Sequence, residues 1–204
     1  KIDLLGSPAS SSAATTERWR ITTPDGTQYH FAGEAATASS RWVVPVFGNH
    51  PGEDCYTSTF KNSSCKQAWR WMLDKAVDVH GNMVRYHYTD EVGYYGAAGD
   101  KDNRVSFTRG GRLARVEYGL HADHANVEAT ARVVFDVEDR CLDGAACYND
   151  GKPVKSKWPD VPWDKHCDAA PCTDKLSPVF FNTKRLTKIR TQVRSGSTFN
   201  NVES

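Results

Sequence analysis

The sequence predicts an all-β fold of sequential antiparallel hairpins joined by long disulfide-pinned loops. Three observations carry that expectation. Apolar and polar residues alternate with period two through most of residues 18–137 and again near the C-terminus. Turn-forming Pro, Asp, Asn and Gly punctuate those runs, and no stretch of ten or more residues shows a helical apolar stripe. Six cysteines fall into three local couples, Cys55-x9-Cys65, Cys141-x5-Cys147 and Cys167-x4-Cys172.

Residues 1–17 are rich in Ser, Ala and Thr and read as a linker or extended lead-in. Trp19 and Ile21 then alternate with arginines, Pro24-Asp25-Gly26 supplies a turn, and Gln28 to Phe31 alternates again, which makes a hairpin. Trp42 to Phe47 is a strand whose Pro45 points to an edge or a bulge. From Trp69 the odd positions Trp69, Trp71, Leu73, Val77 and Val79 form one apolar face, interrupted only by Lys75. This predicts a single strand running into a His80-Gly81-Asn82 turn. Val84, Tyr86 and Tyr88 then face one way, with Arg85, His87 and Thr89 opposite.

Residues 90–103 read as a polar, Gly-rich loop. Arg104–Thr108 and Arg112–Tyr118 read as a hairpin about a Gly110-Gly111 turn. Residues 130–137 form a further strand. From Cys141 to Pro178 the chain holds four cysteines and five of its nine prolines, so the insertion at about 140–180 is expected to be a loop pinned by disulfides and by Trp158 and Trp163. A strand from Thr183 to Val193 and a turn at Gly196 into Thr198–Val202 close the chain. Lys1-Ile2-Asp3 opens it without a basic and apolar leader, and the expectation is an internal or processed piece of a longer protein.

Composition limits the function classes. A 39% hydrophobic content plus 15 glycines lies in the ordinary globular range, which excludes a wholly disordered chain. With 26 Lys and Arg against 25 Asp and Glu the net charge is +1, so no bulk field draws a nucleic acid. No apolar run is long enough for a membrane-spanning helix. Six cysteines allow 15 pairings. Nearest-neighbour pairing is expected because each couple brackets a loop-like stretch, and disulfides imply an oxidising compartment, hence a secreted or cell-surface protein.

Asp78-Val79-His80-Gly81-Asn82-Met83-Val84-Arg85-Tyr86-His87-Tyr88 resembles the YD repeat, roughly D-x-x-G-N-x-x-x-Y-x-Y. Gly111-Arg112-Leu113 resembles the opening of the next strand of that repeat, and Lys184-Arg185-Leu186-Thr187-Lys188-Ile189 is a weaker echo. Trp19–Thr27 and Trp158–Asp164 are similar to stretches of large secreted Rhs-type proteins of actinobacteria. The resemblance covers most of residues 18–204 and implies a curved YD-repeat-like sheet. It also implies a structural, non-enzymatic segment of a polymorphic-toxin shell. Its partners would be neighbouring YD-repeat segments of the parent chain and an enclosed C-terminal effector, with no cofactor.

Other candidate chemistry is sparse. His121 and His124 with Asp123 form the best metal-like cluster, although strand or loop placement argues for solvated residues instead. Asp100, Asp102 and Asn103 faintly resemble a calcium loop but lack its Gly and its final Glu. Asp136 and Glu138, about 6.5–7 Å apart along a strand, with Asp139 beside them, are a candidate carboxylate pair for a glycoside-acting enzyme. Asn62-Ser63-Ser64 matches a glycosylation sequon. Trp69 and Trp71 read as sheet packing or, alternatively, as a sugar-stacking platform on a disulfide-stapled extracellular binding domain. No catalytic or metal-binding residues are assigned.

Mass spectrometry of a non-reduced digest is expected to return Cys55–Cys65, Cys141–Cys147 and Cys167–Cys172 as the linked peptides. Six free thiols would remove the argument for an oxidising compartment.

Overall fold

A computed structural model describes residues 1–10, 13–35, 38–124 and 127–203. Thirteen strands occur among them: β1 (Ile2–Leu5), β2 (Arg18–Thr22), β3 (Gln28–Phe31), β4 (Arg41–Phe47), β5 (Ser64–Trp71), β6 (Leu73–Val77), β7 (Asn82–Gly96), β8 (Arg104–His121), β9 (Ala131–Asp139), β10 (Tyr148–Asn149), β11 (Lys152–Pro153), β12 (Lys184–Ser195) and β13 (Thr198–Glu203). Helical geometry among the described residues is confined to 3₁₀ turns of three or four residues. The fold is all-β and antiparallel, as the alternation predicts.

Nine strands form one sheet in the order β1-β2-β3-β6-β7-β8-β9-β12-β13. The sheet is a meander with two excursions. One leaves between β3 and β6 to make the β4–β5 pair, and the other leaves between β9 and β12 and contains the small β10–β11 pair. Pro45 sits on β4, where it has a partner on one side only, so its missing N–H is tolerated. Three disulfides join Cys55 to Cys65, Cys141 to Cys147 and Cys167 to Cys172, the local pairing expected from the spacing.

The long hairpin β7–β8 organises both excursions. Its near half lies inside the nine-stranded sheet, with Lys75 opposite Arg85 on one side and Arg115–Tyr118 opposite Ala131–Val134 on the other. Its far half continues as a two-stranded ribbon, Tyr88–Gly96 against Arg104–Leu113. The excursions close on that ribbon. Val44 and Phe47 of β4 pack on Tyr95, Ala97 and Phe107. The Trp69 indole N–H of β5 donates to Thr108 O at 3.1 Å. On the other excursion, Cys167 N donates to Tyr94 O and Cys172 N to Lys101 O, while Gly96 N donates to Lys175 O.

Several expectations are corrected. Residues 90–103 are not one loop, because β7 runs to Gly96 and only 97–103 turns. Gly110-Gly111 is not a turn either, since β8 passes straight through it. The glycines are required by close approach. A Cβ on Gly110 would lie 2.2 Å from Asn182 Oδ1, and one on Gly111 would lie 2.7 Å from Thr89 O and 2.9 Å from the Trp42 ring. The Asn182 side chain uses the gap to accept from Gly111 N at 3.1 Å. The single strand expected from Trp69 to Val79 is broken at Met72, whose N–H donates to Ser40 O and whose carbonyl accepts from Ala32 N, so β5 and β6 belong to different sheets. The lead-in expected over residues 1–17 contributes β1 (Ile2–Leu5), which pairs with β2 at one margin of the sheet. Beyond that strand Ala9 is buried, and the Gln67 side chain exchanges two 2.8 Å hydrogen bonds with its backbone.

Gly110→Ala and Gly111→Ala are each expected to destabilise the fold by about 2 kcal/mol through overpacking. The matching fall in melting temperature is roughly 4–8 °C. Wild-type melting of either variant would mean that Asn182 and Trp42 do not sit tightly on this strand.

Candidate functional site

Most residues marked by the sequence are occupied by structural contacts. His121 Nε2–H donates to His80 O at 3.0 Å, and its Nδ1 accepts from Asp123 N at 3.3 Å, so both ring nitrogens are engaged although the His124 ring lies only 5.7 Å away. Asp100 pairs with Lys61 at 2.8 Å and accepts from Asp102 N at 2.9 Å. Among the described residues no group of three or more His, Cys, Asp or Glu side chains is placed to hold a metal ion. Asn62 of the sequon is exposed, whereas Ser63 is buried.

The carboxylates of β9 do not converge on a shared cleft. Arg190 forks Asp136 at 2.5 and 2.7 Å, Arg185 takes Glu138 at 2.7 Å, and Lys184 takes Asp139 at 2.5 Å. The Arg190 hydrogen bond holds Asp136 below the usual carboxylate range. A glycosidic general acid needs the opposite shift. Trp69 and Trp71 also part company. Trp69 packs against Phe180 at 4.6 Å and Trp42 at 5.5 Å, whereas Trp71 meets the edge of Trp19 at 6.3 Å. Trp158 and Trp163 do pin the second excursion, in a core with Cys141, Cys147 and Val161.

The sequence reading missed a buried ion pair on the far ribbon. A bulge at Glu91/Val92 places Gly110 opposite Glu91 and Thr108 opposite Val92, leaving Arg109 as the extra residue. Arg109 Nη2 donates to Glu91 Oε2 at 3.1 Å, with both side chains under one-tenth exposed. Glu91 also accepts from Thr183 N and from Thr183 Oγ1, the latter at 2.8 Å. The Arg109 guanidinium lies over Phe181 at 4.2 Å and Trp163 at 4.8 Å. Burial pulls its pKa down, against the pull of Glu91. Next to this pair, burial pushes Asp90 up to about 6, and its Oδ1 has no hydrogen-bond partner.

The nine-stranded sheet presents two chemically distinct faces. Cross-strand register aligns Asp3, Arg20, His30, Lys75, Arg85, Glu117, Arg132, Gln192 and Asn201 in one row that crosses every strand. The row is knitted by Asp3–Arg20 at 3.0 Å, Arg132–Gln192 at 2.6 Å and Gln192–Asn201 at 2.9 Å. Glu117 is held by Arg115 at 2.6 Å and by His87 at 2.7 Å. Burial alone would raise the Glu117 pKa, but these hydrogen bonds outweigh it and keep it low.

The reverse face is apolar. Ile2, Ile21, Tyr29, Ala76 and Val84 form one row, and Tyr86, Val116 and Val133 continue it on the next strands. On β9 and β12, Phe135 lies opposite Ile189 and Val137 opposite Leu186. Ile2, Leu4, Leu186 and Ile189 are each more than half exposed. The chain exposes 11571 Å², against about 9500 Å² expected for a compact monomer of this mass. Strands β1 and β13 form the two margins of the sheet, each paired on one side only.

No family model matches the chain, and no curated protein matches it. Among solved structures it is similar to the N-terminal domain of effector protein SpvB from Salmonella typhimurium strain LT2. That similarity has 14% identity and a TM-score of 0.46, and it covers 94% of this chain and 55% of that one. It carries no inference about function.

Asp90→Asn is expected to stabilise the protein at pH 7.5 by about 1–2 kcal/mol. The folded-state value lies above the unfolded one, so the contribution of the neutral carboxyl is complete below pH 3.8 and lost as pH rises through about 6. Urea unfolding of both proteins at pH 3.5 and 7.5 should therefore show a gain only at the higher pH.

Proposed function

We propose that the chain is a structural segment of a secreted YD-repeat, Rhs-type protein, one slab of a β-shell that encloses an effector. The observation that carries this reading is the half-exposed apolar face of the nine-stranded sheet, bounded by two open margins. A sheet face of this kind is stable in water only when something lies against it. Open edge strands suit continuation by further hairpins of the same kind. The three disulfides favour export, since such bonds persist in oxidising compartments. No helix among the described residues is long and apolar enough to cross a membrane.

In this role the apolar side is the one that meets neighbouring segments or cargo, and the charged side meets solvent. The near half of β7–β8 belongs to the wall. The far ribbon carries the two excursions that close on it.

The isolated chain is expected to self-associate with rising concentration in sedimentation velocity and to bind a hydrophobic dye. Leu186→Lys with Ile189→Lys should shift it toward monomer at little cost in folding, because both side chains are already exposed. A wild-type chain that stays monomeric at all concentrations, melts cooperatively and binds no dye would overturn the shell reading.

A further inference from the structure

The charged face contains a hollow of about 400 Å³ between β7, β8, β9 and β13. Three guanidinium groups from adjacent strands line it: Arg85, Arg115 and Arg132. Two are committed in direction. Arg115 donates to Glu117 and to His87 Nδ1, which leaves His87 Nε2–H to donate to Glu117. Arg132 donates to Gln192 and lies over the Phe199 ring at 3.9 Å. Arg85 is different: the residue is partly buried, and among the described residues its side chain makes no hydrogen bond or ion pair.

Charge does not balance in the hollow. Glu117 and Glu128 are its carboxylates, and Glu128 is taken by Arg194 at 2.6 Å. With Glu128 paired outside the hollow, three guanidinium groups face one carboxylate, Glu117, leaving two positive charges uncompensated. Buried Leu120 and Ala129 and the exposed Val127 give the same hollow an apolar lining. The volume falls within the range of small-molecule sites, roughly 300–1,000 Å³, and a bare inorganic ion would leave much of it empty.

We propose that this hollow binds the tetrahedral oxyanion of a small organic phosphate or sulfate monoester. Arg85 supplies the free fork, Arg115 and Arg132 supply flanking charge, and the Leu120–Ala129 lining takes the organic body. The dianion of a phosphate monoester matches both uncompensated charges, the monoanion of a sulfate monoester matches one of them, and guanidinium groups on three adjacent strands can surround a group whose oxygens do not lie in one plane.

Equilibrium dialysis of the intact disulfide-bonded chain against radiolabelled glucose 6-phosphate at low ionic strength tests this whatever the association state of the chain. Saturable binding is expected, with competition by glucose 6-sulfate and weaker competition by orthophosphate and glucuronate. Competition by orthophosphate equal to that of the ester would still support the oxyanion site and identify the free ion as its occupant. Arg85→Gln should lower affinity at least about tenfold, and Arg85→Lys, which keeps the charge, should lower it less. Lys188→Gln removes one exposed charge from the same sheet outside the hollow and should leave affinity within about twofold. Absence of saturable binding, glucuronate competing as well as the phosphate ester, or equal losses in Arg85→Gln and Lys188→Gln would each overturn the proposal.

Discussion

The salt bridge between Glu91 and Arg109 is the contact that ties the second excursion to the far ribbon. Both side chains are buried to more than nine-tenths, and each meets groups from a distant part of the chain. Thr183, the residue just before β12, closes the carboxylate, while Phe181 and Trp163 from the Cys/Pro-rich excursion cover the guanidinium. Buried ion pairs add little net stability over apolar packing of the same shape, but removing one partner strands the other. The pair therefore acts as a register device. It fixes where the residues leading back from the excursion touch the far ribbon, and so sets the point at which β12 rejoins the sheet.

The wall itself needs no such device. Alternation on β2, β3, β7, β9 and β12 sends most charges to one side and most aromatic or β-branched residues to the other, while β6 departs from it, with Val77 on the side of Lys75 and Asp74 on the side of Ala76; a slip of one residue would exchange the two sides on any strand. The bulges between Met83 and Arg85 and between Leu186 and Lys188 are absorbed locally. In the first case they leave the charged row continuous from one margin to the other.

The alternation made the wall legible from sequence. The hairpin at 18–31, the strand at 130–137 and the final pair were visible because period two and turn chemistry are local properties. The disulfide pairing was legible for the same reason. What stayed hidden depends on distant contacts. Gly110-Gly111 looks like a turn until Asn182, more than 70 residues away, is seen filling the space above it. The stretch after Thr89 looks polar because Asp90 and Glu91 are acidic, yet both lie under the excursions. The break at Met72 follows from hydrogen bonds to Ala32 and Ser40, which no pattern within 68–79 records. At the charged hollow, the opposition of Arg85 and His87 to Val84, Tyr86 and Tyr88 was readable, but its convergence with Arg115 and Arg132 needs the register of three strands.

The order of the nine strands has a kinetic corollary. Apart from the two excursions, each strand lies beside the one synthesised just before it, so most pairings close only short loops and lose little chain entropy. A sheet with this connectivity can zip from its first residue to its last as the polypeptide emerges. The growing rim at every stage is an unfinished edge ready for the next hairpin, and the disulfide-bearing excursions can settle onto the ribbon after the strands on either side are in place.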